Sequence, residues 1–157
     1  MVKNKNYIRD GRAPIPEMER TSRIMSLIKD KNTLPELLLR KALWNHNIKG
    51  YRLHWSKVPG KPDIAFPGKR LAIFVNGCFW HRCPYCNPPT PKTHSDFWNK
   101  KFEANKKRDE IKITELESIR WFVITVWECQ LKSNITDLLG KIENYLNEYE
   151  NNNKLVR

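Results

Sequence analysis

The sequence predicts an α/β fold, and two observations carry that prediction. The segments "NTLPELLLRKALWNHN" and "SNITDLLGKIENYLNEY" place apolar residues at helical spacing behind N-caps, Thr33 and Ser133. Short β-branched and aromatic runs lie between them, and four are predicted strands: "YRLHW", "DIAF", "RLAIFV" and "RWFVITVW". With a long helix at about 96–118, the order α-β-β-β-α-β-α predicts a sheet covered by helices, with a crossover into the last strand.

Each element has its own signal. Pro35 lies in the first turn of the first helix, where no intrahelical N–H bond is lost. The "PGK" turn makes "DIAF" and "RLAIFV" a hairpin, and the continuous apolar character of its second strand predicts burial on both faces. The last helix carries a one-sided apolar stripe: Ile135, Leu138, Leu139, Ile142, Leu146 and Tyr149.

The length of 157 residues suits one domain whose core needs no disulfide support. Residues 1–20 are polar, basic and aperiodic and contain proline, so we expect a flexible N-terminal arm. Residues 21–150 are the predicted folded domain, and residues 151–157 are a predicted frayed tail.

The charge of the chain predicts a polyanionic partner. Lys and Arg number 29 against 17 Asp and Glu, which gives a formal net charge of +12. No apolar run approaches the roughly 20 residues that span a bilayer, and the N-terminus lacks the apolar core of a signal peptide. We therefore expect a nucleic acid partner, no membrane and a cytoplasmic location.

The cysteines predict a zinc site. In a reducing cytoplasm, clustered cysteines favour metal binding over disulfides, and a C-x2-C pair presents two thiolates to one tetrahedral Zn²⁺. The predicted ligands are all four cysteines of the chain: Cys78, Cys83, Cys86 and Cys129. Four protein ligands close the site, so its predicted role is structural. The alternatives are buried thiols, a redox pair, or His81 in place of one cysteine.

Two aspartates are candidates for chemistry. Asp63 begins a strand after a proline turn, a placement typical of a Mg²⁺ ligand in nucleases, although a turn aspartate that caps its own backbone would look the same. Asp109 interrupts a helical stripe about 80° wide that should be buried, and it therefore needs a partner. His81 is the candidate partner. The alternatives are that Asp109 lies at the solvent-exposed edge of the stripe or pairs with an arginine. The stripe comprises Trp98, Phe102, Asn105, Asp109, Ile113 and Leu116.

His81 also suits a general base, because an imidazole with a pKa near 6.5 takes a proton from water at neutral pH. The other histidines, His46, His54 and His94, are predicted to be surface or core residues. Helix-dipole stabilisation alone accounts for Glu36 in a first helical turn. Glu128 is predicted to end a strand.

Adjacent aromatic residues follow Cys78. Because Phe79 and Trp80 cannot easily both point inward, an exposed aromatic wedge that unstacks base pairs is expected on this basic protein. A core role for Phe79 is the alternative. Met25 is a candidate for a second wedge, and a core methionine is the simpler reading of that residue.

Together these residues resemble the very short patch repair endonucleases, the Vsr-type DNA mismatch endonucleases. The resemblance covers about residues 21–131, and it rests on these strings: "TSRIM", "PELLLRKAL", "VPGKPDIAF", "IFVNGCFWH", "HSDFW" and "VWECQL". It implies a restriction-endonuclease-like PD-(D/E)xK core with a mixed central sheet and a structural zinc. It also implies Mg²⁺-dependent nicking of one strand of double-stranded DNA beside a T·G mismatch.

The resemblance also implies roles for individual residues. Asp63 matches the metal-binding aspartate, and Val75 a residue whose main-chain carbonyl is a metal ligand. His81 matches the general base, Asp109 its acidic partner and Glu36 an auxiliary glutamate. The four cysteines match the zinc site, with Cys83 where a histidine is common. The implied DNA-contacting residues are Met25, Phe79, Trp80 and Trp98.

One position departs from the family pattern. Asn76 stands where the repair enzymes commonly carry a second active-site histidine, and an amide cannot shuttle protons. Two alternatives to mismatch repair stay open: a sequence-specific restriction or nicking endonuclease, and a zinc-stabilised DNA-binding module without catalysis. The expected setting is a monomer in a prokaryotic cytoplasm, associated with the nucleoid, together with mismatch-repair proteins or a cognate DNA cytosine methyltransferase.

Overall fold

A four-stranded mixed sheet is the centre of the fold. The computed structural model describes residues 31–154. The predicted arm at 1–20, Met25 and residues 155–157 lie outside the described residues. In chain order the elements are α1 (Leu34–Asn45), β1 (Arg52–Leu53), β2 (Ile64–Phe66), a 3-10 helix (Pro67–Lys69), β3 (Leu71–Asn76), α2 (Cys78–His81), α3 (Ser95–Ser118), β4 (Phe122–Trp127), α4 (Glu128–Ser133) and α5 (Ile135–Lys154).

The order of the main elements is as predicted, with two short helices added at the ends of β3 and β4. The cysteine-rich segment, predicted as a loop, begins with α2, because the extended Gly77 starts a turn closed by the bond from His81 N–H to the Gly77 carbonyl. The prediction that Glu128 ends a strand is wrong. It is the first residue of α4, where the Gln130 side chain accepts a hydrogen bond from Trp127 N–H.

The sheet order is β1-β2-β3-β4. The pairs β1–β2 and β2–β3 are antiparallel, which confirms the predicted hairpin, and β3–β4 is parallel, with α3 as the crossover. The last helix, α5, continues beyond the predicted domain boundary at residue 150 to Lys154. Within residues 31–154, no helix combines the length and apolar character that crossing a membrane requires.

The sheet has a separate apolar core on each face, because successive side chains of β3 point to opposite sides. On one face Leu71 and Ile73 pack with α1, α4 and α5, in a cluster that includes the fully buried Leu39, Leu43 and Ile142. The other face is smaller and lies toward α3: Ala65, Ala72, Phe74, Leu116 and Trp121. As predicted, β3 is buried on both faces.

Gly60, in the turn before β2, packs closely against helix α3. It has a φ of +73°, a left-handed conformation that disfavours other residues. A Cβ atom placed there would lie 2.8 Å from Lys112 Cγ and 3.0 Å from the Phe74 ring. Backbone conformation and close packing therefore both require glycine at this position.

We expect Gly60→Ala to lower the free energy of unfolding more than Gly50→Ala does. Gly50 has a φ of +88° and nothing within 4 Å of a built Cβ, so its substitution carries backbone strain alone, about 1–2 kcal/mol. At Gly60 the steric overlap adds about 1–3 kcal/mol. Urea denaturation of the two variants measures the difference, and equal losses would contradict the packing argument.

Candidate active site and metal centre

The four cysteines meet beside the carboxyl ends of β3 and β4. Cys78 follows β3 at the start of α2, Cys129 follows β4 in α4, and the loop after α2 supplies Cys83 and Cys86. Their sulfur atoms all lie within 4.8 Å of one another, and Cys83 Sγ is 3.6 Å from Cys129 Sγ. Thiolates bound to one tetrahedral Zn²⁺ are about 3.8 Å apart, given a Zn–S bond of about 2.3 Å. The cluster therefore fits the predicted zinc ligand set.

The cysteines of this cluster differ in how readily they ionise. Desolvation, followed by the hydrogen bonds with Cys83 and Cys78, raises the pKa of Cys129 to about 12. Desolvation also opposes ionisation of Cys83, but hydrogen bonds from the Cys86 and Tyr85 backbone and from the Cys129 thiol lower its pKa. Four thiols this close need a cation to stabilise their thiolates, and a bound metal ion would supply it. All four are free cysteines.

Asp63 directly precedes β2 and contacts strand β3. Its Oδ2 accepts a hydrogen bond of 2.8 Å from the N–H of Val75, the penultimate residue of β3. Burial raises the pKa of Asp63 above its ordinary value; the Val75 hydrogen bond opposes that shift and the Glu36 charge reinforces it. A cation beside this carboxylate would relieve the cost of its burial.

A cluster of Glu36, His54 and Asp63 was not predicted. One ligand atom from each lies within 4.8 Å of the others, so the three residues could hold a metal ion. His54 Nδ1 is 3.8 Å from Asp63 Oδ1, and its Nε2 is 3.5 Å from Glu36 Oε2. The φ of His54, +45°, is left-handed, a strained conformation that often accompanies functional positions.

The Glu36 carboxylate already has partners within the cluster. Its oxygens accept hydrogen bonds from the Thr33 hydroxyl at 2.8 Å, from Asn32 N–H at 3.0 Å and from Arg40 at 3.2 Å. Arg40 also lies 3.2 Å from His54 Nε2, where it donates to the ring nitrogen. Glu36 is thus a buried capping residue of α1 as well as a neighbour of Asp63.

His81 and Asp109 form a direct pair. His81 Nδ1 hydrogen-bonds with Asp109 Oδ2, while Lys112 donates to Asp109 Oδ1 at 2.9 Å. Burial raises the pKa of Asp109, but the hydrogen bonds from His81 and Lys112 outweigh it, so the pKa lies below its ordinary value. Because Nδ1 faces a carboxylate, the neutral His81 ring keeps Nε2 as its acceptor.

Asn76 ends β3 on the side of the sheet that faces α3, and it is buried. It lines a small open cleft together with five other residues: Phe74, Asp109, Lys112, Ile113 and Thr125. Asn76 therefore lies beside the acidic partner of His81, at the same end of the sheet as the cysteine cluster.

Four aromatic rings from α2 and α3 pack together. Phe79 contacts Trp80, Trp98 and Phe102, with ring centroids 5.2, 5.4 and 5.3 Å apart. Phe79 and Trp80 are both partly exposed, so neither is a simple core residue. Asn105, which interrupts the apolar stripe of α3, donates to the Trp80 carbonyl at 2.8 Å and fixes this segment.

Two residues of the site, His54 and Lys112, were not predicted from the sequence. His54 was predicted to be a surface or core residue, yet it lies beside Asp63, because strand pairs Leu53↔Ile64 and Arg52↔Ala65 place it there. Pairing the predicted strands "YRLHW" and "DIAF" in this register would have placed His54 next to Asp63. Lys112 lies one helical turn after Asp109, an i,i+3 spacing that brings side chains together.

Comparison with known proteins places the chain in a family. The family model described as DNA mismatch endonuclease Vsr matches residues 15–87. The type II nicking enzyme V.XorIIP of Xanthomonas oryzae pv. oryzae is 42% identical over 130 residues, which are 82% of this chain and 93% of the relative. V.NmeAIP of Neisseria meningitidis serogroup A, also a type II nicking enzyme, is 40% identical over 110 residues, or 70% of this chain and 78% of the relative.

The DNA mismatch endonuclease Vsr of Escherichia coli K12 is 30% identical over 138 residues, which are 85% of this chain and 88% of the relative. These relationships define an endodeoxyribonuclease, and the mixed sheet with flanking helices fits a restriction-endonuclease-like α/β fold. The chain belongs to the Vsr family of DNA endonucleases. This confirms the resemblance inferred from "GCFWH", "PGKPD" and "VWEC".

We expect the purified chain to carry zinc at one ion per cysteine cluster. Cys129→Ser should lose the metal and several kcal/mol of unfolding free energy, because metal-binding free energy is folding free energy. Tyr85→Ser, at an exposed position between two of the cysteines, should keep both. Elemental analysis and thermal melts test this, and a zinc-free protein of unchanged stability would refute it.

Replacing the two aspartates should change stability in opposite directions. The pKa of Asp63 is raised in the folded state, so its ionised form destabilises the fold above that pKa, and Asp63→Asn should stabilise the metal-free protein at pH 7. The pKa of Asp109 is lowered, so its stabilisation is present above the unfolded pKa and is lost as pH falls through the folded pKa; Asp109→Asn should destabilise at pH 7.

Both differences should shrink toward pH 3, where the carboxyls become protonated. Thermal melts in EDTA between pH 3 and pH 7 provide the measurement. Shifts of the same sign for both variants at pH 7 would contradict the assignment.

Proposed function

We propose that the chain nicks one strand of double-stranded DNA next to a T·G mismatch in a Mg²⁺-dependent reaction that initiates very short patch repair. The observation that carries the proposal is the hydrogen-bonded pair of His81 and Asp109. His81 directly follows the partly exposed Phe79 and Trp80 in the chain. A proton-accepting group and an aromatic surface for bases thus lie on one short helix, α2. The name of the Escherichia coli relative, a DNA mismatch endonuclease, supports the same function.

Asp63 and the main-chain carbonyl of Val75 are the groups that would hold Mg²⁺. The Val75 amide fixes one oxygen of the Asp63 carboxylate, and the other oxygen lies 3.8 Å from the nearest His54 nitrogen, too far for a hydrogen bond. Mg²⁺ prefers one or two carboxylates combined with water and substrate phosphate oxygens, which suits this position. When bound, Mg²⁺ would act as a Lewis acid toward the scissile phosphate.

His81 is proposed to deprotonate the attacking water through Nε2. Asp109 holds the ring through Nδ1, which fixes the tautomer and stabilises the imidazolium that forms on proton transfer. The lowered pKa of Asp109 keeps its carboxylate ionised for this task. General-base catalysis of this kind contributes about 10²–10⁴-fold to a rate.

Glu36 and Asn76 have supporting roles in the proposal. A carboxylate oxygen of Glu36 lies within 4.8 Å of a ligand atom of Asp63 and of His54, so Glu36 is proposed to position water or metal ligands. The Asn76 amide faces the cleft beside Asp109 and can hydrogen-bond a phosphate oxygen or a water. Neither residue is proposed to carry a proton.

The zinc cluster would fix α2, and α2 presents the DNA-contacting rings. We propose that Phe79 and Trp80 enter the base stack, with Trp98 beside them and Met25 as a second wedge. Lysine and arginine contacts to phosphates would make binding strongly salt-dependent.

We retain as proposals the domain boundaries at residues 21 and 150, a monomeric state, and a prokaryotic cytoplasmic location near the nucleoid. Mismatch-repair proteins or a cognate DNA cytosine methyltransferase are the proposed protein partners.

A sequence-specific nicking endonuclease is the second candidate function. The observation that favours it is the identity with two relatives named as type II nicking enzymes, 42% and 40%, against 30% for the mismatch endonuclease. The two candidates differ in substrate, because a sequence-specific nicking enzyme would cut its fully paired site.

We expect the chain to nick a T·G duplex with Mg²⁺ and to spare the matched duplex. Asp63→Ala and His81→Ala should each lower the single-turnover rate by at least about 10²-fold. The controls Asp137→Ala and His46→Ala alter exposed residues outside the site and should keep full activity. Equal cutting of matched and T·G duplexes would refute mismatch repair and support the nicking candidate.

A further inference from the structure

We propose that Lys112 is a further catalytic residue, whose ammonium group contacts the scissile phosphate and stabilises its charge in the transition state. The inference rests on the proposed function and adds a residue to the same site.

Lys112 lies where three parts of the site meet. Its Nζ donates to Asp109 Oδ1 at 2.9 Å and lies 5.5 Å from the centroid of the Phe74 ring. The same side chain lines the cleft together with Asn76 and Asp109. The ammonium therefore lies beside the acidic partner of the proposed general base.

The stem of Lys112 is held in place. Its Cβ and Cγ lie where a side chain at Gly60 would clash, at 2.9 and 2.8 Å from a built Cβ, and the Phe74 ring lies close to the same point. The absence of a side chain at Gly60 therefore leaves the space that the Lys112 side chain occupies. A group held in this way needs little reorganisation when substrate charge develops, which is the condition for efficient electrostatic catalysis.

Charge balance at the cleft favours a phosphate contact. Among the described residues that line the cleft, Lys112 is the one cation, and it stands beside Asp109 and the Asn76 amide. About a third of its side chain, 33%, is exposed to solvent. A phosphate that reaches His81 must approach the carboxylate of Asp109, and Lys112 offsets that repulsion.

An ordinary surface ion pair is the simpler explanation of Lys112, and the chain offers a matched comparison. Lys106 and Glu103 form a pair with the same i,i+3 spacing and a similar distance, 3.1 Å, on the exposed side of the same helix. At none of the glycines within residues 31–154 is Lys106 among the nearest atoms to a built Cβ, and Lys106 does not line the cleft. The two lysines differ in position relative to the site and not in charge.

The test compares Lys112→Met with Lys106→Met in single-turnover nicking at saturating T·G duplex with Mg²⁺. Methionine keeps the apolar stem over Gly60 and removes the charge. We expect Lys112→Met to lower the rate by about 100-fold, the usual effect of losing one transition-state donor. The affinity of Lys112→Met for the duplex, measured by fluorescence anisotropy, should fall no more than the affinity of Lys106→Met. The nicking rate of Lys106→Met should match that of the wild type.

A variant with the Lys112 side chain shortened to alanine supplies a second readout. In Lys112→Ala, added ethylammonium should restore part of the rate at concentrations that leave the wild type unchanged, which a purely structural role would not allow. Wild-type rates for Lys112→Met, or a loss confined to affinity, would overturn the inference while the proposed function stands. A wild-type chain that nicks no duplex would overturn both.

Discussion

The parallel pairing of β3 with β4 is the constraint on which the site depends. The register runs from Leu71↔Phe122 to Asn76↔Trp127, so both strands end at the same edge of the sheet. Cys78 and Cys129 are distant in sequence, but each follows one of these ends, and the shared edge brings their sulfurs together. Asn76 and the His81 helix lie at that edge for the same reason, in agreement with the tendency of ligands to bind beyond the carboxyl ends of parallel strands.

The helix α3 supplies Asp109 and Lys112 and orients the segment that carries His81. It spans Ser95–Ser118, and only its inner face touches the sheet. Along that face polar residues replace apolar ones at two positions, Asn105 and Asp109, and each has a specific partner on α2. One face of one helix therefore orients both the aromatic segment, through the Trp80 carbonyl, and the histidine that follows it.

The sequence was informative where periodicity or residue chemistry acts locally. It predicted the strands, the long helix, the cysteine set and the pairing of Asp109 with His81, because a carboxylate on a buried stripe needs a partner. It missed His54 and Lys112, since their significance depends on strand register and on the packing of Gly60 against α3. It also missed the short helices α2 and α4, whose four and six residues are too few for a periodic signal.

The four-residue helix α2 carries the ring surface and the proposed base side by side, with Phe79, Trp80 and His81 consecutive in the chain. Under the proposed function, base-pair opening and water activation share a single rigid piece of backbone. A duplex that does not admit the rings would then leave the imidazole displaced from the phosphate. Discrimination between substrates would then be expressed in turnover more than in residence on DNA, so that a tightly bound but well-stacked duplex stays intact.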